Sequence, residues 1–345
     1  MRASDFDYDL PPALIAQQPL AERSASRLLV LDRTSASVRH RRFSDLPDLM
    51  APGDVLVLNS SRVIPARLHG TRDAGQGRTA PAEILLVREL ADGSWLAMGR
   101  PGGKLKPGRL VRFGDDSAVE VLEALGGGLR RVRFTGALDA RATLARYGEV
   151  PLPPYIHRAP TAADRERYQT VFAAREGSIA APTAGLHFTT ELLDRIRSHG
   201  VAVATLELHV GPGTFKPVEA EELDHHRMHA EAYALGGDAA ATINAARESG
   251  GAIWAVGTTV VRVLETVADP EGRVEAAAGE TCLFIHPPYR FRAVDRLLTN
   301  FHLPRSTLLM LACAFGGFDA VMTAYREAVR EEYRFYSYGD AMAIV

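Results

Sequence analysis

Cysteine is nearly absent: Cys282 and Cys313 are the only two in 345 residues. That scarcity excludes a disulfide scaffold and a cysteine-rich zinc site. Long apolar runs are missing too, each being interrupted well short of a membrane span. The N-terminus, MRASDFDYDL, is acidic and has no apolar signal core, so neither a signal peptide nor a transit peptide is indicated. A cytoplasmic protein without membrane contact is expected. Three glycine signatures are also lacking: GxxxxGK[ST], GxGxxG after a strand, and the GxSxG elbow. Neither a standard nucleotide-phosphate or dinucleotide fold nor a serine acyl transferase is signalled.

Excess charge is small as well. A net charge of −2 and a pI near 6.6 argue against a generic nucleic-acid binder. The distribution is uneven, however. Residues 62–135 hold 13 Lys and Arg against 8 Asp and Glu, an excess of five positive charges that leaves seven negative ones on the remainder. Such asymmetry hints that one part of the chain meets an anionic partner.

What is present is enough apolar residue for a large core and two domains. PPALIAQ reads as a short helical piece, RLLVLDR and SVRHRRF as a strand pair, and DVLVL as a buried strand. From Arg62 to Thr135, short alternating segments such as AEILLVREL, GRLVRFG and LRRVRFT are separated by glycine-rich turns. No helical period runs through them, so this stretch reads as an all-β sheet or small barrel. The segments on either side are mixed α/β, which makes 62–135 an insertion into a discontinuous domain of 1–61 and 136–345. Asp139–Tyr147 reads as a helix, and Thr161 with Asp164 as a capping box opening a helix through Phe172. From Ser178 on, strands and helices alternate; SIAAP, VAVATLELHV, AIWAVG, TCLFI and VDRLLTNF read as strands.

Two of these apolar runs end in polar, histidine-bearing turns. SIAAP leads into Thr183 and His187, and VAVATLEL into His209, Thr214 and Lys216. Ligands in open α/β sheets bind beyond the carboxyl ends of strands, and histidine there suits acid–base chemistry. His199 precedes a helix-ending glycine and reads as an ordinary cap. Gly257, Thr258 and Thr259 open a helix after a strand, with Arg262 a turn later; free N–H groups there attract an anion. His225, His226 and His229 have the spacing of a helical zinc site, but nearby Pro217 and the strand-like HAEAYAL disfavour a helix. Lys104 and Lys106 lie in a basic Gly/Pro loop that fits either a phosphate clamp or a solvated hairpin tip. The aromatics Tyr333, Phe335, Tyr336 and Tyr338 fit base stacking or plain packing.

At these residues the chain resembles the S-adenosylmethionine:tRNA ribosyltransferase-isomerases of queuosine biosynthesis. The blocks that carry the resemblance run nearly end to end: DFDYDLPPALIAQQP, GDVLVLNSSRVIPARL, APTAGLHFT, LHVGPGTFKPV, HRMHAE, VGTTVVRVLE, TNFHLPRSTLLMLACAFGG and YRFYSYGDAMAI. The resemblance implies a larger α/β barrel-like domain carrying a smaller β-barrel insertion. It implies transfer and isomerisation of the ribosyl part of S-adenosylmethionine onto 7-aminomethyl-7-deazaguanine at the wobble position of tRNA. Adenine and methionine leave and epoxyqueuosine is formed. S-adenosylmethionine is then a substrate, and neither a cofactor nor a metal is expected. A monomer is expected.

Motif position and chemistry together suggest His187 and His209 for proton transfer, Thr183 and Thr214 for positioning oxygens, and Lys216 near developing charge. Gly257, Thr258, Thr259 and Arg262 would hold the methionine carboxylate, while Asn300 and His302 would meet sugar or base. Arg62, Lys104 and Lys106 are candidates for the tRNA backbone. Two competing functions remain at this stage: a zinc-dependent hydrolase built on His225, His226 and His229, and a non-enzymatic RNA-binding module using the basic insert.

Overall fold

A strand near the middle of the larger sheet is apolar on both sides. In Val55–Asn59, Val55 and Val57 face one way and Leu56 and Leu58 the other, and all five residues are buried. Strands covered on both faces read as unbroken apolar runs. The structure is a computed structural model and describes residues 1–211 and 220–345.

In chain order, β1 (Arg27–Leu31), β2 (Val38–Arg42), β3 (Val55–Asn59) and β4 (Ser61–Val63) come first. Then come β5 (Arg67–Gly75), β6 (Arg78–Glu89), β7 (Trp95–Arg100), β8 (Leu110–Phe113), β9 (Ser117–Gly126) and β10 (Leu129–Gly136). The middle holds α1 (Ala140–Tyr147), β11 (Gly148–Glu149), α2 (Asp164–Arg167), β12 (Arg175–Ser178), α3 (Thr190–Ser198), β13 (Ala202–Leu208) and β14 (Glu231–Leu235). The last third comprises α4 (Gly237–Glu248), β15 (Ile253–Val256), α5 (Thr258–Val267), β16 (Ala277–Thr281) and β17 (Arg296–Asn300). It closes with α6 (Thr307–Gly316), α7 (Phe318–Arg330) and β18 (Ala341–Ile344).

The fold is mixed α/β. A nine-stranded sheet runs β16-β14-β13-β3-β15-β17-β18-β1-β2, with β13, β3, β15 and β17 parallel at its centre. Among the described residues no ladder joins β16 to β2. Residues of α4 to α7 pack on the face carrying Leu29, Leu31, Val55 and Val57. Phe43, Phe188, Leu192 and Ile196 cover the opposite face at Leu28, Val30, Leu56 and Trp254. No single helix among the described residues is long and apolar enough to cross a membrane.

A second sheet is antiparallel throughout: β11-β5-β6-β7-β10-β9-β8, with β5 also pairing β8. That extra ladder closes β5 to β10 into a ring around Leu68, Ile84, Leu86, Val111, Phe113, Val119 and Val132. Gly70 lies where β5 meets β8; a Cβ there would come within 2.4 Å of the Arg112 carbonyl oxygen, so only glycine permits the approach.

Several local readings differ from the structure. The helix expected through Phe172 is a single turn, Asp164–Arg167. Asp164 caps Thr161 as expected but also takes Arg158 and Tyr338, which turns the chain inward. Burial works against ionisation of Asp164, yet these donors together hold its carboxyl well below the usual range. SIAAP is no strand: β12 ends at Ser178 and pairs only β4, because the Ser178 hydroxyl turns back to the Ala180 carbonyl. TCLFI is likewise irregular after Thr281, where β16 ends. PPALIAQ yields one 3-10 turn, Pro12–Leu14.

Candidate active site

A narrow cleft of about 70 Å3 opens at the carboxyl ends of β15 and β17. Gly257 follows β15 with φ +89°, a left-handed conformation that turns the strand directly into α5. Its N–H donates to the Leu298 carbonyl at 2.7 Å, which ties the start of α5 to β17. Asn300 ends β17, and the Ser306 hydroxyl caps α6 by accepting the Leu309 N–H at 3.2 Å. Thr183 enters from a 3-10 helix, Thr183–His187, and Tyr155 and Tyr336 complete the walls with rings 4.5 Å apart. Six of the residues singled out in sequence thus meet: Thr183, Gly257, Thr258, Thr259, Asn300 and His302. Helix starts at α5 and α6 present backbone N–H groups without intrahelical partners, an environment suited to an anion.

His187 stands behind this cleft rather than in its wall. It is 4% exposed, stacked on Phe43 at 4.8 Å, with Nδ1 2.7 Å from the Ser26 hydroxyl and Nε2 3.2 Å from Asn300 Nδ2. Burial, with Arg23 and Arg334 nearby, pushes its pKa down to about 3, so the ring is neutral. Both nitrogens are already engaged, so this histidine is not placed to exchange protons with a ligand. His302 is buried in the same way, with Nε2 2.8 Å from the Thr299 hydroxyl and a pKa lowered to about 3 by burial.

His209 faces a different space. A cleft of about 1080 Å3 lies between the ring of β5 to β10 and the main sheet, lined by Arg88, Trp95, Met98, Arg133, Arg141 and His209 among others. The His209 backbone N–H donates to Ala232 at 2.9 Å, but Nδ1 has no partner. Burial lowers its pKa, Glu207 opposes that shift, and Arg175 adds to it. Gly177 leaves room for the ring: a Cβ there would lie 2.8 Å from Nδ1, and φ is +142°. Val210 lines both clefts, so the two meet at one residue.

Residues that escaped notice in the sequence hold this junction. Asn59, at the end of β3, accepts the Leu208 N–H at 3.1 Å and donates to the Leu208 carbonyl at 3.0 Å. The Ser178 hydroxyl accepts the Val210 N–H at 3.0 Å. A polar residue closing an apolar run was the available signal for Asn59; nothing local marked Ser178.

Other candidates are placed differently. Arg262 is buried, paired with buried Glu231, and donates to the carbonyls of Leu283 at 3.0 Å and Thr281 at 3.1 Å. It is engaged within the protein and is not among the residues lining the narrow cleft. Arg62 donates to the Ala173 carbonyl at 2.6 Å, so it too is engaged within the protein. Lys104 and Lys106 are exposed on a loop pinned by buried Arg130, which donates to Leu105, Gly128 and Gly102 carbonyls. Thr214 and Lys216 lie outside the described residues. His225 sits exposed beside Glu222, His226 packs edge-on to Phe284, and His229 lines the large cleft. Among the described residues, no group of three or more His, Cys, Asp or Glu could hold a metal. His199 caps α3 next to Gly200 and bonds the Met50 carbonyl at 3.1 Å.

Residues 3–344 match the family model described as queuosine biosynthesis protein. The chain belongs to this family. Among its relatives, S-adenosylmethionine:tRNA ribosyltransferase-isomerase of Symbiobacterium thermophilum is 52% identical over the full length of both chains. The protein of that name from Moorella thermoacetica is 53% identical, again over both full lengths. Among solved structures, S-adenosylmethionine tRNA ribosyltransferase from Thermotoga maritima is 41% identical, covers 99% of this chain and 100% of its own, and superposes with a TM-score of 0.57.

Proposed function

We propose that this chain is an S-adenosylmethionine:tRNA ribosyltransferase-isomerase, acting on tRNA that carries 7-aminomethyl-7-deazaguanine. The observation that carries the spatial reading is the junction at Val210. A narrow cleft rich in helix N-termini there meets a wide one lined by arginines and an aromatic. The methionine end of S-adenosylmethionine enters the narrow cleft, with its carboxylate at the Thr258 and Thr259 N–H groups, and the rest of the molecule extends from the cleft mouth. The wobble nucleotide enters the wide one, between the main sheet and a β-barrel domain inserted at 62–135. Lys104 and Lys106 contact the tRNA backbone from that insert. Family membership and full-length identity to proteins of this name support the activity.

Four tasks follow from the chemistry. A base removes a proton from the carbon beside the sulfonium, and the electron pair left there opens the sugar by expelling the ring oxygen from the neighbouring carbon. That oxygen becomes an aldehyde as adenine leaves with a proton. The primary amine of the modified base adds to the alkenyl sulfonium and loses its proton, and the carbanion regenerated beside sulfur closes a carbon ring onto the aldehyde. The resulting alkoxide then displaces methionine to close the epoxide. His209 is the base in this reading: its ring is neutral near pH 7 and it lines the wide cleft beside the junction. Thr183 positions an oxygen of the sugar, and Tyr155 with Tyr336 offer faces to adenine. Thr214 and Lys216, in the segment after His209, keep the roles suggested by their motif. In this reading the protein acts as a monomer in the cytoplasm, where its tRNA substrate is. No step calls for a metal.

Liquid chromatography of adenine tests this. Release from S-adenosylmethionine only when tRNA bearing 7-aminomethyl-7-deazaguanine is present supports the reading. Equal release without tRNA, or none with it, refutes it.

A further inference from the structure

Asn300 is 2% exposed, and its two amide atoms have opposite surroundings. Nδ2 faces three acceptors: His187 Nε2 at 3.2 Å, the Tyr336 carbonyl at 3.1 Å and the Asp340 carbonyl at 3.4 Å. Exchanging oxygen and nitrogen would set the amide oxygen against two carbonyl oxygens, so the orientation follows from the chemistry. Oδ1 is buried and has no partner. Asn300 is in the wall of the narrow cleft with Nδ2 already engaged by His187, Tyr336 and Asp340, so Oδ1 is the polar atom of this side chain left for a ligand. A buried acceptor without a donor is destabilising. A ligand donor would relieve that.

We propose that Asn300 Oδ1 accepts a hydrogen bond from the α-ammonium group of the bound sulfonium amino acid, and that His187 and Ser26 are positioning residues that hold it so. This rests on the assignment of S-adenosylmethionine to the narrow cleft. Asn300 ends β17 and Gly257 follows β15, its hydrogen-bonded neighbour. Adjacent strands lie about 5 Å apart. An acceptor at the end of one strand and helix N–H groups at the end of the next match an ammonium and a carboxylate on the same carbon. A ribose hydroxyl or adenine amine would satisfy Oδ1 but would leave the anion site beside it empty. His187 fixes the amide as a neutral ring: its Nδ1–H donates to Ser26 and its Nε2 accepts from Asn300. The Ser26 hydroxyl in turn faces the Arg23 carbonyl at 3.4 Å, which completes the chain.

Calorimetric titration separates the parts. Wild-type protein is titrated with S-adenosylmethionine and with its deaminated analogue, which keeps the carboxylate and sulfonium. The analogue is expected to bind ~10- to 100-fold more weakly, the range for losing one charge-assisted hydrogen bond. Asn300→Leu should weaken S-adenosylmethionine by a similar factor and leave the analogue unchanged. His187→Leu should weaken S-adenosylmethionine about tenfold, and His187→Gln, whose Oε1 can accept from Asn300, should restore part of it. A merely structural role would weaken both ligands together, and that outcome overturns the proposal. Wild-type protein that binds both ligands equally also overturns it, without needing a variant that folds. Failure to bind S-adenosylmethionine at all would instead overturn the parent assignment.

Discussion

Glu231 and Arg262 form a buried pair whose removal has a calculable effect. Their side chains are 6% and 5% exposed. Glu231 also accepts the Gly211 N–H at 2.8 Å, while Arg262 reaches two carbonyls across to β16 and beyond. Glu231→Ala leaves a guanidinium buried with carbonyls but no counter-charge. Breaking one partner of such a pair destabilises by about 3–5 kcal/mol, whereas replacing both by apolar residues of similar volume is often near neutral. The double variant Glu231→Leu/Arg262→Met should therefore lose less stability than Glu231→Ala alone. Urea denaturation followed by tryptophan fluorescence reads this as a shift in midpoint at constant slope. Arg262→Lys should lower the midpoint while S-adenosylmethionine affinity is kept. If Glu231→Ala shifts stability by less than about 1 kcal/mol, or Arg262→Lys weakens S-adenosylmethionine without moving the midpoint, Arg262 is a ligand clamp and the structural reading is refuted.

Acid should destabilise the fold early. His187 and His302 have folded pKa values near 3, below the ordinary 6.5, so the unfolded chain binds the extra protons and stability falls as pH drops from about 6.5 towards 3. At pH 5 that is about 2 kcal/mol for each histidine, and a urea midpoint unchanged between pH 7 and 5 would contradict it. His209→Ala should reduce turnover ~100-fold or more, the scale of general-base removal, with S-adenosylmethionine affinity retained; single-turnover kinetics with near-normal rates would exclude it as base. Replacing Lys104 and Lys106 together by Ala should weaken tRNA binding and flatten its dependence on salt by about one to two units of log–log slope. Filter binding across a salt series that shows the wild-type slope would remove that loop from the tRNA surface.

Much of the cleft was legible because its residues close apolar runs or open helices. Gly257, Thr258 and Thr259 sit between AIWAV and VVRVL, and Asn300 and His302 follow RLLT, so strand and helix periods alone locate them at one edge of the sheet. Thr183 belonged to the same class, although its preceding run folds as a loop and not as a strand. His187 shows the limit. Its neutrality comes from burial beside Arg23 and Arg334 and its fixed ring from Ser26 and Phe43, all far off in the chain, and no local pattern marks a histidine as buried. Arg262 failed for a similar reason: its helix-start position suits an anion, but Glu231 was closer once β14 had paired with β13. The wide cleft is formed by packing between separate sheets, and no residue pattern within either one announces it.

The crystal structure of the complex with S-adenosylmethionine tests the two-cleft account most directly. The account predicts the methionine carboxylate at Thr258 and Thr259, the ammonium at Asn300 Oδ1, and the sulfonium side of the ribose turned toward Val210 and His209. S-adenosylmethionine lodged instead in the wide cleft, against Trp95 and Arg133, would contradict it.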